Sequence, residues 1–185
     1  MYLIVGLGNP EPQYSQTRHN LGFDTVNIIS KKYNIEVNKK GFDGLYGSGT
    51  IEGEKVVILK PQTFMNESGK SIIQAKNYYK ILDERIIVIY DDIDIEEGTV
   101  KIRKKGGPGT HNGMRSVVSE LNTTTFPRVR IGTGKPIFKE LLISYVIQKL
   151  TDEQYERLKP AIHTAVEAVE EIVKSGIDNA MNKIN

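Results

Sequence analysis

The sequence contains no cysteine. Disulfide staples, thiolate nucleophiles and sulfur-ligated zinc are therefore excluded, and the composition suits a reducing compartment. No apolar stretch reaches the roughly 20 residues that a membrane-spanning helix needs. Met1 leads straight into an apolar run, without the basic segment and long apolar core of a secretory signal, so a cytoplasmic protein is expected. Low-complexity tracts, linkers and internal repeats are missing as well. A chain of 185 residues with this ordinary composition predicts one domain, 1–185, with a substantial core.

Several common site signatures also fail, each at an identifiable residue. Gly6-Leu7-Gly8 follows an apolar run, as in a dinucleotide-binding turn, but the third glycine of that fingerprint is replaced by Glu11. This undermines a Rossmann oxidoreductase. Glu67-Ser68-Gly69-Lys70-Ser71 resembles the end of a phosphate-binding loop, yet the glycine required five residues before Gly69 is Phe64. No Gly-x-Ser-x-Gly elbow is present to anchor a serine hydrolase. His19, His111 and His163 lie far apart and lack metal-type spacing. Neither a cofactor nor a metal is expected.

What is present reads as an α/β chain. Apolar, β-branched runs predict strands at 2–5, 45–51, 55–59, 85–90, 98–103 and 128–132. Ile51 and Lys55 look joined in a hairpin across Glu52-Gly53-Glu54. Helical periodicity falls at about 21–33, 66–80, 112–121, 139–148 and 152–175. In the last segment Thr151 and Gln154 form a capping-box pair, Pro160 predicts a division into a short and a longer piece, and Gly176 ends it. Strands interleaved with helices imply a mostly parallel or mixed sheet, with ligands gathering beyond the carboxyl ends of its strands.

Charge is unevenly spread. Between Gly98 and Lys135 eight basic residues face the single acid Glu120, although the whole chain carries only +2. A one-sided segment of this kind suits a polyanionic partner; the plainer alternative is a solvated surface whose charges are scattered in space.

Four polar stretches interrupt or follow the apolar elements: residues 8–20, 60–69, 90–94 and 106–116. Three lie just past predicted strands, so Asn9, His19, Asn66 and Asp91 are expected to converge on one crevice. Gly6 and Gly8 are expected to let the chain turn sharply off the first strand towards it. Taken singly, these residues have plainer readings: Asn9 a turn former, Asn66 a helix N-cap, His111 a residue at a helix start outside the chemistry, His163 structural.

In order and spacing, "GLGNP…Y…TRHN.G", "KP.TFMN.SG", "DD.D…G", "GG…HNG..S" and "F.R.R.G" resemble the bacterial-type peptidyl-tRNA hydrolases, from residue 2 to about 136. The resemblance implies a single α/β domain with a mixed, mostly parallel, twisted sheet surrounded by helices, monomeric and free of metal. It implies hydrolysis of the ester between a peptide and the 3′ end of tRNA. His19 would be the general base, Asp91 its carboxylate partner, and Asn9, Asn66 and Asn112 the site amides. Alternation would turn Asp92 away, and Asp94 would be structural. Arg103 and Arg130 would clamp phosphate, with Lys101, Lys104 and Lys105 close by. Tyr14, Phe64 and Met65 would contact substrate, the last two being equally suited to a core. Residues 106–110 would form a gate and 135–150 a lid. Two positions depart from the family pattern: Glu11-Pro12 follows Asn-Pro where glycine is usual, and Thr110 replaces the glycine before His111-Asn112. The alternative is a non-catalytic RNA-binding protein of the same fold.

Overall fold

The first apolar run, Tyr2–Gly6, forms strand β1 and is buried along its length. A computed structural model describes residues 1–185. Six further strands follow: β2 (Lys39–Gly41), β3 (Gly44–Ile51), β4 (Glu54–Pro61), β5 (Ile86–Asp92), β6 (Val100–Arg103) and β7 (Arg128–Gly132). They join in one mixed sheet of order β2-β3-β4-β1-β5-β7-β6. The central strands β4, β1, β5 and β7 are parallel, whereas β2, β3 and β6 pair antiparallel to their neighbours.

The α-helices are α1 (Leu21–Tyr33), α2 (Ser68–Tyr79), α3 (Asn112–Leu121), α4 (Leu142–Ile147), α5 (Asp152–Ser175) and α6 (Ile177–Ile184). Alternation along the strands divides the core in two. Tyr2, Ile4, Ile87 and Ile89 pack with α1, α5 and α6, while Leu3, Val5, Ile86 and Val88 pack with α2 and α3. Both faces of the central strands are covered, which is why their sequences are continuously apolar.

Four details differ from the sequence expectation. The hairpin loop is only two residues, because Ile51 already pairs with Glu54; Glu52 and Gly53 both take positive φ, as a tight primed turn requires. The short edge strand β2 contains Lys39 and Lys40 and no apolar run that would betray it. The C-terminal helix is not divided: α5 continues through Pro160. Pro160 and Glu156, whose carbonyl loses its partner, are both exposed, while Leu158, Ala161, Ile162 and Val166 are buried on the other side. A mid-helix proline costs about 3 kcal/mol, and burying each large aliphatic side chain contributes roughly 1.5–3 kcal/mol, so packing wins. After Gly176 a further helix, α6, covers the β6 edge, and the Asn185 side chain hydrogen-bonds the Ile102 backbone on that edge.

The glycines of the first loop also act differently from expectation. Neither Gly6 nor Gly8 takes a positive φ. A Cβ on Gly6 would overlap the carbonyl oxygen of Gly22, and one on Gly8 would lie 2.5 Å from the Phe23 ring. Their role is to let α1 lie directly against the end of β1.

Because β4 flanks β1 on one side and β5 flanks it on the other, the order of the parallel strands switches at β1. A crevice therefore opens beyond their carboxyl ends.

Candidate active site

His19 lies in a one-turn 3-10 helix, Arg18–Asn20, just before α1. The turn is fixed by Asn20, which is buried. Its Nδ2 donates to the Asn9 carbonyl at 3.0 Å, and its Oδ1 accepts from the Asn9 backbone N–H at 2.8 Å. An amide donates and accepts at once, so Asn20 ties the two ends of the first loop together. Its presence inside the "TRHN" stretch was the sole hint of that role in the sequence.

Asp91 stands near the end of β5, still paired with Ile131 of β7 and therefore held by the sheet. It is 2% exposed. His19 Nδ1–H donates to Asp91 Oδ2 at 2.8 Å, and His111 Nε2–H donates to Asp91 Oδ1 at 2.9 Å. The His111 ring also N-caps α3, its Nδ1 accepting the Met114 N–H at 3.2 Å. A nitrogen that accepts a backbone N–H presents its lone pair, so the hydrogen of the neutral ring sits on Nε2, facing the carboxylate. His111 thus fulfils the helix-start role expected of it and also lies within the site: the two imidazoles share one carboxylate and their centroids are 4.7 Å apart.

The electrostatics follow from this arrangement. Burial disfavours charge on His19, but the adjacent Asp91 charge and hydrogen bond together outweigh it, and the pKa is raised above the ordinary 6.5. Burial pushes the Asp91 pKa up, yet the two imidazoles and their hydrogen bonds win, holding it well below the usual carboxylate range. Asp91 therefore stays ionised and accepts from both rings. The His19 Nδ1–H is committed to it, leaving Nε2 as the free basic nitrogen.

His19, Asp91 and His111 each offer one ligand atom, all within 4.8 Å of one another. Each ring nitrogen facing Asp91 carries the hydrogen that bonds it. A metal ion held by these three atoms would replace both hydrogen bonds to Asp91 and disturb the cap on α3.

A cavity of about 590 Å³ opens over this group. Asn9, Tyr14, His19, Phe64, Met65, Asn66, Asp91 and Asn112 all line it. Asn66 does not cap α2, whose first turn has no side-chain cap. Asn66 and Asn112 are exposed, and Asn112 makes one long contact, from Arg115 Nη1 at 3.4 Å. Met65 satisfies both of its readings, being buried in the α2–α3 core while touching the cavity. Phe64 stands exposed at the rim. Glu11 and Thr110, the two departures from the family pattern, also line the cavity.

The basic residues separate. Arg103, Lys105 and Arg130 line the cavity, but Lys101 and Lys104 do not. Lys104 instead pairs with Asp178 of α6 at 2.9 Å. Arg130 Nη1 lies 3.3 Å from Asp92 Oδ2. Asp92 bonds Arg130 rather than His19, and it lines the cavity as well. Asp94 pairs with Lys135. Arg128, counted only as part of the basic segment, is a buried member of the same wall. Its guanidinium lies over Phe126 and donates to the Thr124 carbonyl at 2.6 Å.

Known proteins match this chain along its whole length. The family model for peptidyl-tRNA hydrolase matches residues 3–185. The chain belongs to the peptidyl-tRNA hydrolase family. A peptidyl-tRNA hydrolase from Clostridium acetobutylicum is 50% identical over 185 residues, covering 100% of this chain and 98% of that protein. The crystal structure of peptidyl-tRNA hydrolase from Acinetobacter baumannii is 39% identical with a TM-score of 0.94, over 100% of this chain and 94% of that one. A 5′-methylthioadenosine/S-adenosylhomocysteine nucleosidase from Neisseria meningitidis, 10% identical with a TM-score of 0.54, shares the fold alone. The family is one of hydrolases, and no match favours the non-catalytic alternative. No helix is long and apolar enough to cross a membrane.

Proposed function

We propose that the protein hydrolyses the ester joining a peptide to the 3′ end of tRNA, with His19 as general base. One observation carries the reading: a buried, ionised Asp91 takes the Nδ1–H of His19 at 2.8 Å and leaves Nε2 free in a cavity lined by three asparagines. In the proposed reaction Nε2 accepts a proton as water attacks the ester carbonyl carbon. The tetrahedral oxyanion collapses, the bond to the ribose oxygen breaks, and the imidazolium returns its proton to that oxygen. Free tRNA and the peptide acid are the products. Asp91 holds the ring in its tautomer and balances the imidazolium, an arrangement related to the Ser-His-Asp triad with water in place of serine. General-base catalysis of this kind contributes roughly 10²–10⁴-fold.

Asn66 is assigned as the oxyanion donor, Asn112 to orienting water and the 3′ end, and Asn9 to bracing the base and the terminal adenosine. Neutral amides can do this without adding charge beside His19. Arg103, Lys105 and Arg130 are assigned to tRNA phosphate, which arginine grips through a planar fork. Tyr14, Phe64 and Met65 would contact the substrate beside the ester. The protein is proposed to act in the cytoplasm as a monomer, without metal. The test is release of N-acetylated amino acid from charged tRNA in the presence of a chelator. Chelator-resistant release, with unblocked aminoacyl-tRNA cleaved far more slowly, is expected; failure to release it would refute the proposal.

A further inference from the structure

We propose that Arg18 and Tyr145 form a strut through which helix α4 holds the His19 turn in its working position, making both of them positioning residues for the reaction. The inference rests on the reading of His19 as the base. Arg18 immediately precedes His19 in the same 3-10 turn and is only 4% exposed, yet no carboxylate pairs with it and its Nε makes no hydrogen bond. Its charge is met from one direction. The guanidinium carbon lies 3.7 Å from the centroid of the Tyr145 ring, and Nη1 donates to the Tyr145 carbonyl at 3.0 Å. Tyr145 belongs to α4, whose Leu142, Ile143, Val146 and Ile147 form the apolar wall of the cavity.

The other end of Tyr145 is anchored too. Its hydroxyl donates to the Thr133 carbonyl at 2.6 Å, and the Thr133 N–H donates to the carbonyl of Asp92, the neighbour of Asp91. One side chain therefore connects the turn that carries the base to the strand end that carries its carboxylate. The chain following α4 is joined to the same loop. The Leu150 N–H donates to the Gln16 carbonyl, Gln16 Nε2 returns a bond to the Leu150 carbonyl, each at 2.9 Å, and Thr17 bridges Lys149.

The energetics make this more than packing. A buried guanidinium without a carboxylate depends on the ring face and carbonyl that replace water. Removing the ring leaves Arg18 with only the backbone carbonyl of residue 145 as partner; its movement towards solvent carries the His19 turn with it and disturbs the 2.8 Å contact with Asp91. A displacement of about 1 Å at a reacting group can cost on the order of 10²-fold in rate.

The test compares Tyr145→Leu, Tyr145→Phe, Arg18→Met and the Tyr145→Leu/Arg18→Met double variant. Each is measured by kcat and KM on N-acetyl-aminoacyl-tRNA, by NMR titration of the His19 ring without tRNA, and by Tm. Tyr145→Leu and Arg18→Met are each expected to lower kcat by about 10–100-fold while KM moves less than about threefold. The double variant should be no slower than the slower single one, because both remove one coupling. Tyr145→Phe, which keeps the ring over Arg18 but loses the hydroxyl bond to Thr133, should be slower than wild type and no slower than Tyr145→Leu. In Tyr145→Leu the His19 pKa should fall back towards 6.5 as its contact with Asp91 loosens.

Losses that multiply in the double variant, or a Tyr145→Phe rate equal to that of wild type, would overturn the strut. So would wild-type titration of His19 in Tyr145→Leu. If Arg18→Met does not fold, the two Tyr145 variants and the His19 titration decide. If wild type cleaves no ester, the reading of the reaction fails, and the titration still judges the strut by itself.

Discussion

Two regions of the same cavity are built by opposite means. Around the buried Asp91 two mostly covered imidazoles each spend one nitrogen on the carboxylate, at 2.8 and 2.9 Å, which fixes the ring of His19 and leaves its Nε2 free. Across the cavity Arg103 and Lys105 are exposed and make no ion pair within the chain, and Arg130 reaches Asp92 only at 3.3 Å. The difference follows from what each region must do. A general base gains from geometry fixed before substrate arrives, since nothing then has to reorganise during reaction. A phosphate-binding rim gains from cations that remain hydrated until a polyanion displaces their counterions. Changes in the first region should therefore alter rate at nearly constant affinity, and changes in the second should alter affinity and its salt dependence.

The largest expected effect is at His19. His19→Ala should slow ester cleavage by about 10²–10⁴-fold while tRNA affinity, measured by filter binding, stays within about twofold. Comparable losses in both would erase the distinction between the regions. Asp91→Asn should come next, with kcat falling by on the order of 10²-fold because the imidazolium loses its counter-charge; single-turnover kinetics that match wild type would contradict this.

The rim variants should be milder. Arg103→Ala should weaken tRNA binding several-fold and reduce the slope of log affinity against log salt by about one charge's worth; an unchanged slope removes Arg103 from the clamp. The smallest effect is expected for Lys104→Ala. Lys104 pairs with Asp178 and does not line the cavity, so its affinity and salt slope should both match wild type. A slope change as large as that of Arg103→Ala would return Lys104 to the rim.

The convergence of His19 with Asp91 was legible in the sequence for a topological reason. Loops that follow parallel strands flanking a switch point share one edge, and the β-branched runs at 2–5, 55–59 and 85–90 mark those strands. The role of His111 was not legible, because a histidine at a helix start reads as a cap, and nothing local shows that its second nitrogen faces a strand 20 residues earlier. Asn20 was hidden for a similar reason: its partner is the backbone of Asn9, whose approach depends on Gly6 and Gly8 admitting α1. Charge clustered in sequence did not reveal which cations share a wall. Lys104 and Lys105 are adjacent, yet one faces α6 and the other the cavity. The edge strand β2 and helix α6 were missed where tertiary covering, rather than a strong apolar period, supports the element.

The central claim is that neutral His19, tuned by ionised Asp91, takes the proton from water. The pH dependence of kcat/KM for N-acetyl-aminoacyl-tRNA tests it most directly, with wild type and Asp91→Asn measured side by side. Activity requires the unprotonated ring, so the wild-type rate should rise with pH through an ionisation above 6.5. With the carboxylate charge gone, the same limb should move to lower pH in Asp91→Asn, even as the plateau falls. A wild-type profile that is flat between about pH 5 and 8, or a limb at the same pH in both proteins, would contradict the account.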